Sequence, residues 1–224
     1  MTWRELPPLA TDVAGQLPDF PQISLVAGHI ADHREALCAE ERPAIARARE
    51  KRAWEFATGR HLARCAISDL GEAEGPIPRA EDRRPVWPPG LLGSITHAGD
   101  LAVAAVARAG SVRGIGIDLE KAERVTERLF AKLFTAAERQ ILQESVPTLA
   151  GLMFSAKEAA YKAVNPHVGR YIGFQEAEVD VNWQARTLRV RYVGDHPPNR
   201  IMSDGMGHFC FFDDYVITVF VIDR

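Results

Sequence analysis

The sequence predicts an α+β fold built as two similar halves within one chain, and three features point to it. A long helical pattern followed by strand-like runs fills the first half, the same order recurs in the second, and the last third alternates apolar and polar residues as an antiparallel sheet does. The halves are expected to meet near residues 108–113, giving one unit over residues 1–112 and another over residues 113–224. With 224 residues and 46% hydrophobic content, the chain can bury one large core or two smaller ones.

After a loose, proline-spaced opening, "RPAIARAREKRAWEFATGRHLARCAISDL" (42–70) reads as one long helix, with Pro43 suited to its first turn and Gly71 just past its end. Arg52, Arg60 and Arg64 enrich its polar face. The following "GEAEGPIPRAEDRRPVWPPG" (71–90) holds five prolines and three glycines, which no regular element survives, so a long loop is expected. "GSITH" (93–97) reads as a small-residue turn presenting Ser94, Thr96 and His97. "LAVAAVA" (101–107) is then a buried strand, and "GIGIDLE" (114–120) its returning partner in a hairpin. In "FTAAERQIL", Thr135 and Glu138 make a capping box that starts a helix near Ala136. Leu149, Leu152, Met153, Ala156, Ala160 and Ala163 recur at helical spacing, so a further helix is predicted from Thr148 to Ala163, ended by Asn165 and Pro166. "AEVDVNW", "TLRVRYV" and "YVITVFVI" complete the tail as strands.

A net charge of −3 gives no overall attraction to nucleic acid or to an acidic membrane, so any phosphate site must be a local cluster of Arg and Lys. Three widely spaced cysteines without a C-x-x-C pair fit reduced thiols, and no signal-peptide pattern or long apolar run is present. A cytoplasmic protein is expected.

The chemistry gathers in two stretches. On a strand, Asp118 and Glu120 share the face opposite Ile115, Ile117 and Leu119. Two carboxylates about 4 Å apart repel by roughly 4 kcal/mol at an effective dielectric near 20, so they separate, take a proton or share a cation. In "FSAKEAAYKA" (154–163), Glu158 and Lys162 lie one helical turn apart beside Lys157. A solvated ion pair explains Glu158 and Lys162 taken alone; their combination with the D-x-E strand points elsewhere. Three acids without His or Cys suit Mg²⁺, which completes its shell with phosphate oxygens, and arginine forks suit the remaining phosphate charge.

These residues resemble the 4′-phosphopantetheinyl transferases of the larger Sfp-like and enterobactin-synthesis type. "FATGRHLAR", "PVWPPGLLGSITHAGDLAVAAVA", "GIGIDLE" and "FSAKEAAYKA" stand in the family's order, over residues from about 50 to 165. The resemblance implies two pseudo-symmetric α+β halves with the active site in the cleft between them. It implies transfer of the phosphopantetheine arm of coenzyme A to a serine of an apo acyl or peptidyl carrier protein, with Mg²⁺, releasing 3′,5′-ADP. It makes Asp118, Glu120 and Glu158 the metal ligands, with Asp118 also at the coenzyme A pyrophosphate; Glu158 is the base, and Lys162 stabilises the pyrophosphate and leaving group. Lys157 would assist with phosphate or substrate contacts, Arg52 and Arg60 would bind near the 3′-phosphate, Thr96 and His97 would line the nucleotide pocket, and Arg79 of the loop would also bind coenzyme A. Arg79 stands where relatives often carry lysine, and Ala98 where cysteine is frequent. A monomer is expected, because one chain supplies both sides of the cleft, with neither nucleic acid nor membrane as partner. A Mg²⁺-dependent coenzyme A or nucleotide phosphohydrolase and a non-catalytic coenzyme A-binding module remain as alternatives.

Overall fold

The computed structural model describes residues 2–6, 17–18, 20–195 and 200–223, with backbone alone for 2–6 and 200. In chain order its elements are β1 (Thr2–Leu6), β2 (Ile23–His29), α1 (Glu50–Asp69), β3 (Leu91–Ala98), β4 (Leu101–Arg108), β5 (Gly114–Lys121), α2 (Glu127–Leu133), α3 (Ala136–Gln143), α4 (Pro147–Val168), β6 (Ala177–Asn182), β7 (Thr187–Tyr192), β8 (Gly205–Phe212) and β9 (Tyr215–Ile222). One sheet has the order β1-β2-β4-β3, the other β5-β9-β8-β7-β6, and every pairing except the parallel β1–β2 is antiparallel.

Four layers result. Leu62, Ala63, Ala66 and Ile67 of α1 pack on Val26, Ala102, Ala104 and Val106 of the four-stranded sheet. The other face of that sheet meets the five-stranded sheet through Leu25, Val103 and Ala105 against Ile115, Ile117, Leu119, Ile217 and Val219. On the far side α4 lies over the second sheet, with Ala156, Ala159, Ala160 and Ala163 against Val216, Phe220 and Ile222. Covered on both faces, β4 is apolar up to the exposed Arg108 and β9 is apolar apart from the buried Thr218.

Several expectations need correction. β4 and β5 are not a hairpin: β4 is already flanked by β2 and β3, so β5 starts the second sheet and pairs with β9 instead. "GSITH" is not a turn but part of β3. The first helix begins at Glu50, and Pro43 lies in a separate 3₁₀ turn, Arg42–Ala44. The cause is Glu41, fully buried, whose carboxylate accepts from Arg64 of α1 at 2.8 Å and from the Ile77 and Cys38 amides, pinning its segment beside α1 rather than in line with it. α4 runs past Asn165 and Pro166 to Val168, ending at Gly169 with φ +67°. β2 and β8 are strands that the sequence reading did not single out. The capping box at Thr135 and Glu138, and the strands β6, β7 and β9, are as expected.

α4 approaches β5 closely enough that glycine is required. A Cβ on Gly116 would fall on the Ala159 carbonyl oxygen, and one on Gly114 would lie 2.6 Å from that of Ala163. Gly116→Ala is therefore expected to destabilise the fold by about 1–3 kcal/mol, since backbone rather than a flexible side chain must yield. A urea midpoint equal to that of the wild type would contradict this contact.

Candidate active site

The two sheets meet along a seam between β3 and β5. β5 is an edge strand, and its free amides are taken by side chains: the Ser94 hydroxyl accepts from the Ile117 N–H at 3.0 Å, and the Thr96 hydroxyl from the Leu119 N–H at 3.2 Å. Thr96 then donates to Asp118 Oδ1 at 3.2 Å. Lys162 of α4 reaches the same oxygen at 2.7 Å and also donates to the Ile117 carbonyl at 3.0 Å. Asp118 is 4% exposed, and its Oδ2 is buried without a hydrogen-bond partner.

Around it the other acids are held above the usual carboxylate range. Burial raises Glu120, and Asp118 adds to the effect against the neighbouring Arg124. Burial likewise raises Glu158, where Lys162 opposes and Asp118 reinforces the shift. Glu120 is paired with Arg124 at 3.0 Å. Tyr161 divides a groove of about 780 Å³, bordered by Lys162, Ser94 and Trp87, from a smaller pocket bordered by Glu158 and Phe174.

The second cluster is basic. Arg52 and Glu55 of α1 face His97 of β3, with Arg52 Nη1 at 2.6 Å from His97 Nε2. Arg60 is buried, its Nε donating to the Ile77 carbonyl at 2.6 Å and its guanidinium lying 4.2 Å above the Phe56 ring. Burial lowers its pKa to about 10, Arg64, Arg52 and Arg79 push the same way, and Glu41 opposes. A desolvated guanidinium among like charges favours an anion beside it.

Two adjoining family models match this chain: the 4′-phosphopantetheinyl transferase N-terminal domain over residues 40–107, and the 4′-phosphopantetheinyl transferase superfamily over residues 114–220. A 4′-phosphopantetheinyl transferase of Mycobacterium tuberculosis is 36% identical over 169 residues, 74% of this chain and 72% of the relative. The chain belongs to the 4′-phosphopantetheinyl transferase family. A transferase of Streptomyces mobaraensis is 37% identical, covering 72% of this chain and 68% of its own. Enterobactin synthase component D of Salmonella typhimurium is 38% identical over 58% of this chain and 55% of its own. The phosphohydrolase and the non-catalytic binding module find no support among these relatives. Among the described residues, no helix is long and apolar enough to cross a membrane.

In the transferase, the predicted site residues fall into three groups. Asp118, Lys162 and Thr96 are in direct contact, and Glu120 and Glu158 feel the Asp118 charge. Arg52 and His97 form a contact of their own, and Arg79 joins them through its charge on Arg60. Lys157 belongs with neither: it is 3% exposed and its ammonium donates to the Leu133 and Phe174 carbonyls and to Glu138 at 2.6 Å. α4 turns Lys157 toward α2 and α3, where these bonds engage the ammonium expected at phosphate or substrate. Thr96 and Arg60, expected as ligand-lining groups, are buried, and Arg64 is a structural partner of Glu41.

The three acids Asp118, Glu120 and Glu158 are near enough for Asp118 to act on both glutamates. Among the described residues, no three His, Cys, Asp or Glu side chains are arranged as a formed cation site. An ammonium and a guanidinium pair with Asp118 and Glu120 respectively. The residues fit a hard divalent ion: the donors are all oxygen, Asp118 Oδ2 lacks a partner, and both glutamates are raised by burial and further by the Asp118 charge. Glu55 is the residue of this region that the sequence reading passed over; its signal was the three-residue step from Arg52 on α1.

Proposed function

We propose that this enzyme moves the phosphopantetheine arm of coenzyme A to a serine of an apo acyl or peptidyl carrier protein, using the seam at Asp118 as its phosphoryl-transfer site. The observation that supports it most is Asp118 itself, buried, held by Lys162 and Thr96, with one oxygen unpartnered. Asp118, Glu120 and Glu158 would hold Mg²⁺, whose charge would offset that of the pyrophosphate.

Glu158, raised by burial, is suited to take the proton of the carrier serine hydroxyl. The serine oxygen bonds to the β-phosphorus as the bond from that phosphorus to the bridging oxygen breaks, and 3′,5′-ADP leaves with the electron pair. Lys162, beside Asp118, would offset charge on the departing oxygen. Arg52 and Arg60 would bind near the 3′-phosphate, with Arg79 and His97 beside them at the nucleotide. Residues 1–112 would thus serve the nucleotide and residues 113–224 the metal, in a monomer acting in the cytoplasm on soluble partners. Carriers of siderophore, polyketide and other peptide-synthetase assembly, like the enterobactin relative's context, suit the larger subtype.

Mixing the protein with coenzyme A, Mg²⁺ and apo-carrier should add the mass of one phosphopantetheine arm to the carrier serine and release 3′,5′-ADP in equal amount. Nucleotide release without carrier modification would instead mark a hydrolase.

A further inference from the structure

The basic cluster contains a carboxylate that an anion-binding site would not be expected to tolerate. Glu55 lies one turn beyond Arg52 on α1, with its side chain 13% exposed against 57% for Arg52. Glu55 Oε2 is 3.2 Å from Arg52 Nη1 and 3.7 Å from His97 Nε2. Arg52 Nη1 approaches His97 Nε2 at 2.6 Å. A guanidinium can only donate, so Nε2 accepts, and the imidazole carries its proton on Nδ1. Burial holds His97 below its usual range, Glu55 opposing and Arg52 and Lys162 reinforcing, which agrees with a neutral ring.

A carboxylate here repels a bound phosphate, so its presence needs a compensating use. Arg52 is mostly exposed and would otherwise sample many rotamers, at about 2 kcal/mol of side-chain entropy. Anchored on the half-buried Glu55, the guanidinium is held in one place against His97 before any ligand arrives, which reduces the ordering cost of binding. We infer that Glu55 is a positioning residue that presents Arg52 and His97 as one preformed unit to the 3′-phosphate of coenzyme A, and so sets the preference for coenzyme A over its 3′-dephospho form. This rests on the reading that Arg52 meets the 3′-phosphate.

The test compares kcat and KM for coenzyme A and for 3′-dephospho-coenzyme A at saturating apo-carrier, in the wild type and in Arg52→Ala, Glu55→Ala, Glu55→Gln and Glu55→Asp. Glu55→Ala is expected to lower the ratio of kcat/KM for the two substrates about ten-fold, through a higher KM for coenzyme A, with partial recovery in Glu55→Gln. A ratio lowered by Arg52→Ala but not by Glu55→Ala or Glu55→Gln would overturn the role of Glu55 and leave Arg52 in place. Equal losses on both substrates in all Glu55 variants would make Glu55 a support of the fold only. A wild-type ratio in Arg52→Ala would remove the reading on which the inference stands.

Discussion

Glu158→Gln is expected to reduce kcat for carrier modification by about 10²–10⁴-fold, the range for loss of a general base, while making the metal-free protein more stable. The two effects have one cause. The folded structure raises the Glu158 pKa above its ordinary 4.5, by burial first and by Asp118 second, against the attraction of Lys162. The folded state therefore binds this proton more tightly than the unfolded chain does, and stability falls as pH rises from the ordinary carboxylate range through the raised folded value. Glutamine has no charge to desolvate, so the variant should gain about 0.5–2 kcal/mol at neutral pH. That gain should vanish once the solution is more acidic than pH 4.5, where the glutamate is protonated in both states. Thermal melts in chelator across this pH range, set beside the carrier assay, separate the outcomes: an inactive variant that is also less stable has lost its fold rather than its base.

Lys157→Met should have the opposite profile, a loss of about 3–5 kcal/mol of stability, because removing one member of a buried ion pair leaves the other uncompensated. Both side chains of the Lys157–Glu138 pair are 2% exposed. The ammonium also satisfies the Leu133 and Phe174 carbonyls, while Glu138 accepts from the Val179 and Thr135 amides. Burial lowers the lysine pKa, and Glu138 opposes the shift. Adding Glu138→Gln should recover part of the loss, since the stranded charge is then gone. A phosphate-binding lysine would instead raise the KM for coenzyme A and leave the denaturant midpoint unchanged.

The contrast between the two lysines marks the limit of what the sequence discloses. Lys157 and Lys162 share one motif and one chemistry, and five residues place them about 140° apart around α4, so they cannot serve the same neighbour. Spacing reveals that divergence but not which side meets Asp118, because that depends on where β5, α2 and α3 pack. Local signals fared better. The alternation that puts Asp118 and Glu120 opposite Ile117, and the capping box at Thr135, are written into neighbouring residues. The partner of β5 is not, since β9 lies almost a hundred residues downstream and an edge strand has no local mark of whom it will join. For the same reason "GSITH" read as a turn: two hydroxyls facing the edge of another sheet look, in one dimension, like loop chemistry.

Those hydroxyls have a mechanical consequence. Thr96 fastens the Leu119 amide and the Asp118 carboxylate together, so one side chain from the first sheet grips both the backbone and a buried acid of the second. Any shear of one sheet along the other would pull Thr96 away from both groups, so the position of that carboxylate is tied to the alignment of the two layers.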